Sequence, residues 1–301
     1  MNYLVTGGAG FIGSHFLIQM VKRYPNDFYI CFDALTYAGN IHNLDEIKDY
    51  PNFKFVKGDI TNINDIEEVF NSFKIDYIVN FAAETHVDNS ISGPDIFYKT
   101  NVIGTVNLLN AARKYGIVRF HQISTDEVYG DLPLDSKISF TESSPLKPSS
   151  PYSSSKAAAE LAVLAYARTY GLDVTISRSV NNFGKNQNKE KLIPKTLDLI
   201  AHNEPIIIYG NGLNVRSWID VDKNNYYIDL IIRYSNPGEI FNIADDIELT
   251  NLQMVYGILE KLSLDDYPIN FVKDRPGHDL KMSVNPKKIR DFVNQVEEGF
   301  I

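Results

Sequence analysis

The chain has 301 residues, of which 44% are hydrophobic, and a formal net charge of −9 at pH 7; this length allows a large buried core, in one large domain or two linked ones. An acidic balance without a run rich in Lys and Arg argues against nucleic acid or an anionic membrane as a partner. The single cysteine, Cys31, excludes an internal disulfide, and because no apolar run approaches the ~20 residues that span a bilayer and no leader-like segment opens the chain, we expect a cytoplasmic protein.

The first part of the sequence alternates apolar, strand-like runs with helical patterns. Strands are predicted at Tyr3–Thr6, Tyr29–Phe32, Lys54–Lys57, Tyr77–Phe81, Arg119–Ser124 and Val174–Arg178. Helices are predicted at Phe11–Arg23, Ile63–Phe73, Pro94–Tyr115 and Ser153–Tyr170. Alternation at this spacing, with near-continuous apolar strands, is typical of a parallel sheet covered by helices on both faces. We therefore predict an α/β fold with a Rossmann-like doubly wound parallel sheet.

Beyond about Ser179 the regular alternation fades. Turn signals follow at Gly210-Asn211-Gly212, Asn236-Pro237-Gly238 and Arg275-Pro276-Gly277. We expect this part to form a smaller lobe, built from the tail of the chain.

Three glycines lie between the first predicted strand and the first helix: Gly7, Gly10 and Gly13 in the stretch GGAGFIG. The first suits a tight turn, the second a close approach of the backbone to a pyrophosphate, and the third close packing of helix on strand. The N-terminus of the helix then faces the phosphates. The pattern predicts a dinucleotide site, and a plain tight turn is the alternative.

Two acids end the second and third predicted strands. Asp33 lies 20 positions after Gly13, where an acid can accept hydrogen bonds from ribose hydroxyls and would repel a 2′-phosphate. We therefore expect NAD rather than NADP, with an ordinary strand-end turn residue as the alternative. Asp59, in the stretch KGDI, either faces the adenine amino group or caps the helix that follows.

A possible reaction centre begins with Tyr152 and Lys156, which are four residues apart in a predicted helix and therefore share a face. A lysine ammonium near a phenol lowers the phenol pKa from about 10, so that the tyrosine can act as a general base near neutral pH. Thr125, at the end of a strand, can hydrogen-bond the substrate hydroxyl from which the tyrosine would remove a proton. The alternative is a surface Tyr/Lys pair without chemistry.

Two adjacent acids, Asp126 and Glu127, follow a predicted core strand in the stretch STDEVYG. Taken alone, such a pair is most simply a solvated loop or a helix N-cap. Adjacent carboxyl groups can act as acid and base only where their surroundings separate their pKa values.

Together these features resemble the short-chain dehydrogenase/reductase superfamily in its extended, nucleotide-sugar-modifying branch. Most closely, the sequence resembles the nucleotide-diphosphate-glucose 4,6-dehydratases, best known as dTDP-glucose 4,6-dehydratases. The matching stretches are GGAGFIGSH, FDALTYAGN, KGDI, NFAAETHVDNSI, TNVIGT, STDEVYG, PSSPYSSSKA, NNFG, EKLIP, GNGLNVRSW and DRPGHD. They follow the family order from Tyr3 to about Asp279. LTYAGN and STDEVYG discriminate best, because related 4-epimerases typically lack the acid pair.

The resemblance implies a three-step cycle with NAD. Tyr152 removes the C4 hydroxyl proton while hydride leaves C4 for NAD⁺. Glu127 then abstracts the C5 proton, and Asp126 protonates the C6 hydroxyl, which leaves as water. The hydride returns to C6 and Glu127 returns a proton to C5, which gives a 4-keto-6-deoxy sugar nucleotide. Asp126 must be protonated when it acts, so we expect it in the drier position.

The resemblance also implies the binding residues. Thr85 and Thr125 would contact the glucose, Asn181, Lys191 and Leu192 the sugar and diphosphate, Arg216 and Arg275 the diphosphate, and Asn251 and His278 the nucleoside, with Tyr209 in the same set. The cofactor set is Gly7, Gly10, Phe11, Ile12, Gly13, Asp33, Leu35, Thr36, Asp59, Ile60, Ala82, Ala83, His86, Thr100, Tyr152, Lys156 and Asn182. Surface salt bridges are the alternative for Arg216 and Arg275, and no metal site is predicted.

Departures from the family pattern lie in the second part of the chain. Ser217 replaces an aspartate, Phe183 a tyrosine, Ile207 a proline, and Ala244-Asp245 a pair of glycines. Family members also continue several tens of residues beyond the point where this sequence ends. We expect residues 1–178 to form the NAD-binding Rossmann domain and residues 179–301 the nucleotide-sugar-binding lobe, partly interleaved with it and short at its C-terminus.

Other readings stay open at this point. The substrate can be UDP-glucose instead of dTDP-glucose, the protein can be a nucleotide-sugar 4-epimerase, or it can bind NAD without catalysis. The resemblance further implies a homodimer in which the predicted helices Pro94–Tyr115 and Ser153–Tyr170 pack against their copies. Core packing within one chain explains the apolar faces of these helices equally well.

Overall fold

The predicted strands form one parallel sheet in the computed structural model, which describes residues 1–301. Its strands are β1 (Asn2–Thr6), β2 (Phe28–Asp33), β3 (Phe53–Lys57), β4 (Tyr77–Asn80), β5 (Arg119–Thr125), β6 (Val174–Ser179) and, after three strands described below, β10 (Ile240–Ile243). They lie in the order β3-β2-β1-β4-β5-β6-β10, all parallel. The first six repeat the order of a dinucleotide-binding fold, so the predicted doubly wound α/β class is confirmed.

Helices cover both faces of this sheet. They are α1 (Phe11–Arg23), α2 (Ile63–Ser72), α3 (Val87–Ser92), α4 (Asp95–Phe97), α5 (Thr105–Tyr115), α6 (Pro151–Tyr170) and, after α7, α8 (Val221–Tyr234) and, after α9, α10 (Lys287–Glu297). One buried cluster joins α1, α8 and α10 to the sheet through residues such as Leu17, Ile228 and Ile289. A second cluster joins α2, α5 and α6 to the opposite face through residues such as Ile66 and Leu108.

Two predicted helices differ in detail. The predicted helix Pro94–Tyr115 consists of α4 and α5 joined by a π-helical segment, Tyr98–Gly104. Helix α6 begins at Pro151 rather than Ser153, because proline fits the first helical position and Ser150 caps the helix by exchanging hydrogen bonds with Ser153. Tyr152 and Lys156 therefore lie in the first turns of α6.

The smaller lobe is formed from the second part of the chain. It contains a mixed sheet of β7 (Asn181–Phe183), β9 (Val215–Asp220) and β11 (Ile247–Thr250), and a pair of β8 (Ile206–Tyr209) with β12 (Ile269–Val272). Helices α7 (Leu192–Ala201) and α9 (Asn251–Leu262) complete it. Side chains of β8 and α9 share a small apolar core that includes Ile206, Ile208, Val255 and Leu259. No helix in the chain is both long and apolar enough to cross a membrane.

Candidate active site

A cavity of about 1060 Å³ opens between the carboxyl ends of the central strands and the smaller lobe. Its walls come from the loops after β1, β2, β4 and β5, from the first turns of α6, and from β9 and the start of α9. Ligands of doubly wound sheets bind at this edge, at the point where the strand order reverses, here between β1 and β4. The volume exceeds what one small ligand needs.

Nearly all of the predicted site residues line this cavity. From the cofactor set these are Gly7, Gly10, Phe11, Ile12, Gly13, Asp33, Thr36, Asp59, Ile60, Ala82, Ala83, His86, Thr100, Tyr152, Lys156 and Asn182. From the remaining sets they are Thr85, Thr125, Glu127, Asn181, Lys191, Leu192, Tyr209, Arg216, Asn251, Arg275 and His278. The two exceptions are Leu35, in the loop after β2, and Asp126, which lies behind the wall.

Two residues of the glycine loop make close backbone contacts that leave no room for a Cβ atom. Gly7 has a φ of +64°, and a Cβ there would lie 2.6 Å from the backbone nitrogen of Ala82. A Cβ on Gly13 would lie 2.5 Å from the carbonyl oxygen of Gly7, so the first turn of α1 packs directly on the loop. The N-terminus of α1, capped by Gly10, faces the cavity without a side-chain partner.

The two strand-end acids organise the loops that follow them. The Asp33 carboxylate accepts backbone N–H groups from Ala9 at 2.9 Å and Leu35 at 2.7 Å, and burial raises its pKa. Asp59 accepts the N–H of Thr61 at 2.7 Å, whereas Asn62 caps α2. Asp59 is therefore not the cap of that helix, and both acids line the cavity.

The acid pair lies in a single 3₁₀ turn, Asp126–Tyr129, directly after β5. Asp126 is 2% exposed, its Oδ1 accepts the Thr125 hydroxyl at 3.2 Å, and its Oδ2 has no partner. Burial, and then the charge of Glu127, raise the pKa of Asp126 to about 8. Glu127 is only half-buried and faces the cavity. Asp126 thus occupies the drier position, which is the place expected for a carboxyl group that must be protonated.

The pKa of Tyr152 is raised, not lowered as the Tyr/Lys spacing predicted. Burial, and then the charge of Glu127, raise the pKa of Tyr152 well above its usual value, and the hydrogen bond with Thr125 acts in the opposite direction. The Lys156 ammonium donates to the carbonyl oxygen of Ile123 at 2.7 Å, and burial lowers its own pKa to about 8. The i, i+4 spacing predicts that the two side chains share a helix face. It does not predict the burial around them, which decides the direction of the Tyr152 pKa shift.

Cationic side chains line the part of the cavity nearest the lobe. Arg216 is 7% exposed, and burial lowers its pKa. Arg275 donates to Asp88 Oδ1 at 3.0 Å, and the Nε of Arg275 is buried without a partner. The Lys191 ammonium donates to the Thr85 carbonyl oxygen at 3.1 Å. These three residues supply positive charge to the cavity wall.

Sequence reasoning did not single out several polar side chains of the cavity, among them Asp279 and Tyr37. Asp279 is 6% exposed, and its Oδ1 accepts the Ser149 hydroxyl at 2.5 Å. Burial, and then the charge of Asp279, raise the pKa of Glu127. The hydroxyl of Tyr37 lies 3.5 Å from the Thr85 Oγ1. Both residues belong to stretches that carry the family resemblance, DRPGHD and LTYAGN, which was the available signal.

This fold, with a glycine loop, a Tyr/Lys pair and a strand-end threonine at one cavity, defines an extended short-chain dehydrogenase/reductase. The chain belongs to the family described as GDP-mannose 4,6 dehydratase, whose model matches residues 4–294. The resemblance predicted from the motifs is therefore confirmed.

Individual relatives agree with that assignment. The chain is 46% identical over 300 residues to the low-salt glycan biosynthesis protein Agl12 of Haloferax volcanii, covering 100% of this chain and 95% of that protein. It is 43% identical over 291 residues to a dTDP-glucose 4,6-dehydratase of Mycobacterium tuberculosis, covering 97% and 86% respectively. The crystal structure of DesIV, a dTDP-glucose 4,6-dehydratase from Streptomyces venezuelae with NAD and TYD bound, matches with a TM-score of 0.92 at 44% identity, covering 97% of this chain and 90% of that one.

Proposed function

We propose that this protein is an NAD-dependent hydro-lyase that converts dTDP-glucose to the 4-keto-6-deoxy sugar nucleotide. The observation that carries the proposal is the meeting of a buried acid and a cavity-facing acid, Asp126 and Glu127, with Tyr152 and the glycine loop at one cavity. The relatives named as dTDP-glucose 4,6-dehydratases support the substrate.

The cavity has the features that NAD requires. The close approach of Gly7 to the Ala82 backbone leaves no room for a Cβ on residue 7. The start of α1 points unpaired N–H groups into the cavity. Among the polar atoms of the cavity lining that are buried without partners are one each on Ser124, Ser179 and Asn182. Asp33 places a carboxylate where ribose hydroxyls would bind. When bound, NAD accepts the hydride from C4 of the sugar and returns it to C6.

The first step uses residues of β5 and α6. Thr125 holds the C4 hydroxyl, and Tyr152 takes its proton as hydride leaves C4. Lys156, held by the Ile123 carbonyl oxygen, keeps a positive charge beside the reacting groups below about pH 8. The resulting C4 ketone makes the C5 proton acidic.

The second step uses the turn after β5. Glu127, which faces the cavity, removes the C5 proton as base. Asp126, protonated at neutral pH because its pKa is about 8, gives its proton to the departing C6 oxygen, which leaves as water. After hydride returns to C6, Glu127 returns its proton to C5. Tyr152 then releases to solvent the proton it took from the C4 hydroxyl, and Asp126 regains one from solvent, so that atoms and charges balance over the cycle.

The lobe provides the nucleotide site in this proposal. Arg216 and Arg275 suit the diphosphate, because guanidinium forks match phosphate oxygens. Asn181, Lys191, Leu192 and Thr85 would lie along the sugar and diphosphate, and Tyr209, Asn251 and His278 along the nucleoside.

The direct test is turnover of dTDP-glucose and UDP-glucose in parallel by the purified protein. We expect dTDP-glucose to give a 4-keto product that absorbs in alkali, with loss of water and no change in total NAD. Turnover of UDP-glucose alone would keep the reaction and replace the substrate. Binding of NAD without binding of either sugar nucleotide, measured by calorimetry, would show a non-catalytic protein.

A 4-epimerase is separated from a dehydratase by the acid pair. We expect the double variant Asp126→Asn, Glu127→Gln to oxidise C4 but not to eliminate water. Retention of most activity, with a C4 epimer as the product, would identify an epimerase instead.

We also propose a homodimer formed through α5 and α6. Large apolar side chains are exposed on and beside these helices, with Ile103 53%, Leu161 59% and Tyr170 49% exposed. We expect wild type to sediment as a dimer and Leu161→Asp to sediment as a monomer. Leu262→Asp, on α9, is the matched control because Leu262 is also an exposed leucine, at 46%. A monomeric wild type would contradict the dimer.

The remaining expectations are proposals of the same kind. Residues 1–178 would bind NAD and residues 179–301 the nucleotide sugar, with the second part interleaved because α8, α10 and β10 lie against the large sheet. A cytoplasmic location is supported by the single cysteine, Cys31, which is buried and unpaired. Cell fractionation tests the location.

A further inference from the structure

A buried cluster of polar side chains lies behind the cavity, and the reaction described above does not use it. Arg178 at the end of β6 donates from Nε to both carboxylate oxygens of Glu160, at 3.1 and 3.0 Å, and from Nη2 at 2.5 Å. Its Nη1 donates to the hydroxyl of Tyr129 at 2.7 Å. Glu160 is 0%, Tyr129 1% and Arg178 3% exposed. All three are therefore sealed from solvent, where a misplaced charge is costly.

The three residues belong to the elements that carry the reactive groups. Glu160 lies on α6, four residues after Lys156 and on the same face. Tyr129 ends the 3₁₀ turn that carries Asp126 and Glu127. Arg178 thus links the helix of the first step to the turn of the second step through side chains alone.

The Tyr129 side chain connects the acid turn to two strands of the large sheet. Its hydroxyl donates to Asn242 Oδ1 on β10 at 2.7 Å while accepting from Arg178. Its ring stacks on Phe140 with centroids 5.0 Å apart, and the Arg178 guanidinium lies 4.8 Å from its centroid. The ring is therefore held by packing, and its hydroxyl ties the turn to two strands of the sheet.

We infer that Tyr129 and Arg178 are positioning residues, which hold the acid turn at a fixed place relative to α6. This inference rests on the proposed function. Loss of the Tyr129 hydroxyl would loosen the turn but leave the Arg178–Glu160 pair, and with it the place of Tyr152 on α6, intact. A displacement near 1 Å at a reacting group can cost about 10²-fold in rate. Elimination should therefore slow more than C4 oxidation.

The test is Tyr129→Phe, which keeps the stacked ring and removes only the hydroxyl. In single-turnover experiments with dTDP-glucose, bound NADH reports C4 oxidation and 4-keto-6-deoxy product reports the completed cycle. We expect product formation to slow at least about tenfold more than NADH formation, so that bound NADH accumulates relative to wild type. Tyr24→Phe is the matched control, because the Tyr24 hydroxyl makes a similar 2.7 Å hydrogen bond to Asp229, and Tyr24 is not among the cavity-lining residues.

A second variant keeps the test decisive if Tyr129→Phe does not fold. Asn242→Ala leaves the Tyr129–Arg178 hydrogen bond and removes the tie to β10, and we expect the same split between the two steps at a smaller size. Equal slowing of both steps, or no slowing, in the folded variant would overturn the positioning role. An inactive wild type would overturn the proposed function and this inference together, whereas an active wild type with an unaffected variant overturns this inference alone.

Discussion

Asp126→Asn separates the chemistry of the buried acid from its effect on stability. Asparagine has the shape of a protonated carboxyl group but cannot supply a proton to the departing C6 oxygen. Loss of a general acid costs about 10²–10⁴-fold in rate. We therefore expect product formation to fall by that factor while C4 oxidation, which uses Tyr152, continues and NADH accumulates.

The same substitution should stabilise the fold. The pKa of Asp126 is raised from 3.8 to about 8 by burial and by Glu127. Between about pH 4 and pH 8 the unfolded chain has lost the proton that the folded protein keeps, so the unfolding free energy of wild type falls by about 1.4 kcal/mol per pH unit. At pH 7, about three units above the usual value, the cost approaches 4 kcal/mol. Asparagine does not titrate and removes this cost.

The assay is calorimetric unfolding of wild type and Asp126→Asn over this pH range with the same NAD loading. We expect the variant to melt several degrees higher near pH 7 and the difference to shrink toward pH 4, since each kcal/mol corresponds to roughly 2 °C in a chain of this size. A difference that is independent of pH would refute the raised pKa of Asp126. Unchanged product formation would refute its role as the acid.

Three further changes test the cavity wall. Gly7→Ala should abolish NAD binding, measured by calorimetry, because its Cβ would lie 2.6 Å from the Ala82 backbone nitrogen at a φ of +64°. Asp33→Asn should raise the affinity for NADP relative to NAD, because the carboxylate that repels a 2′-phosphate is gone. Asp279→Asn should move the acidic limb of the pH–rate profile to lower pH. Burial, and then the charge of Asp279, raise the pKa of Glu127, and removal of that charge lets the base ionise at lower pH.

Matched variants separate these effects from general damage. Gly257→Ala, in α9, adds a Cβ that meets nothing within 4 Å, so it should leave NAD binding unchanged. Equal loss of NAD binding in both glycine variants would contradict the requirement for glycine at position 7. Asp265→Asn removes an exposed charge that does not line the cavity and should leave the acidic limb in place. An unmoved limb in Asp279→Asn, or an unchanged NADP to NAD ratio in Asp33→Asn, would contradict the respective argument.

Local patterns were sufficient for much of the fold. Strands β1 to β6 and helix α1 lie within a residue or two of the predicted ranges, because apolar runs and glycine punctuation report directly on buried strands and turns. Strand β10 was not predicted. It has only four residues and pairs with β6, about sixty positions earlier, so its place depends on packing far away in sequence.

The candidate site was likewise predicted only in part from the sequence. Motifs placed almost every predicted residue in one cavity, because loops after parallel strands meet at one edge of the sheet. Motifs do not report burial, and Asp126 is buried whereas its neighbour Glu127 is half-buried and lines the cavity. The link from Glu160 through Arg178 to Tyr129 was equally hidden, since its members are 18 and 49 positions apart from Arg178 in sequence.

Activation of Tyr152 should depend on the redox state of the cofactor. Burial and the charges of Glu127 and Asp126 raise the pKa of Tyr152, while the hydrogen bond with the Thr125 hydroxyl lowers it. Oxidised NAD carries a positive charge on the nicotinamide and reduced NADH does not, so NAD⁺ should favour the phenolate where NADH cannot. We expect ultraviolet titration of protein loaded with NAD⁺ to show a low-pKa phenolate that is absent with NADH and absent in Tyr152→Phe. Identical titrations with both forms would mean that Lys156 and Thr125 suffice. If the phenolate forms only with NAD⁺, Tyr152 is ionised only when the cofactor can accept the hydride.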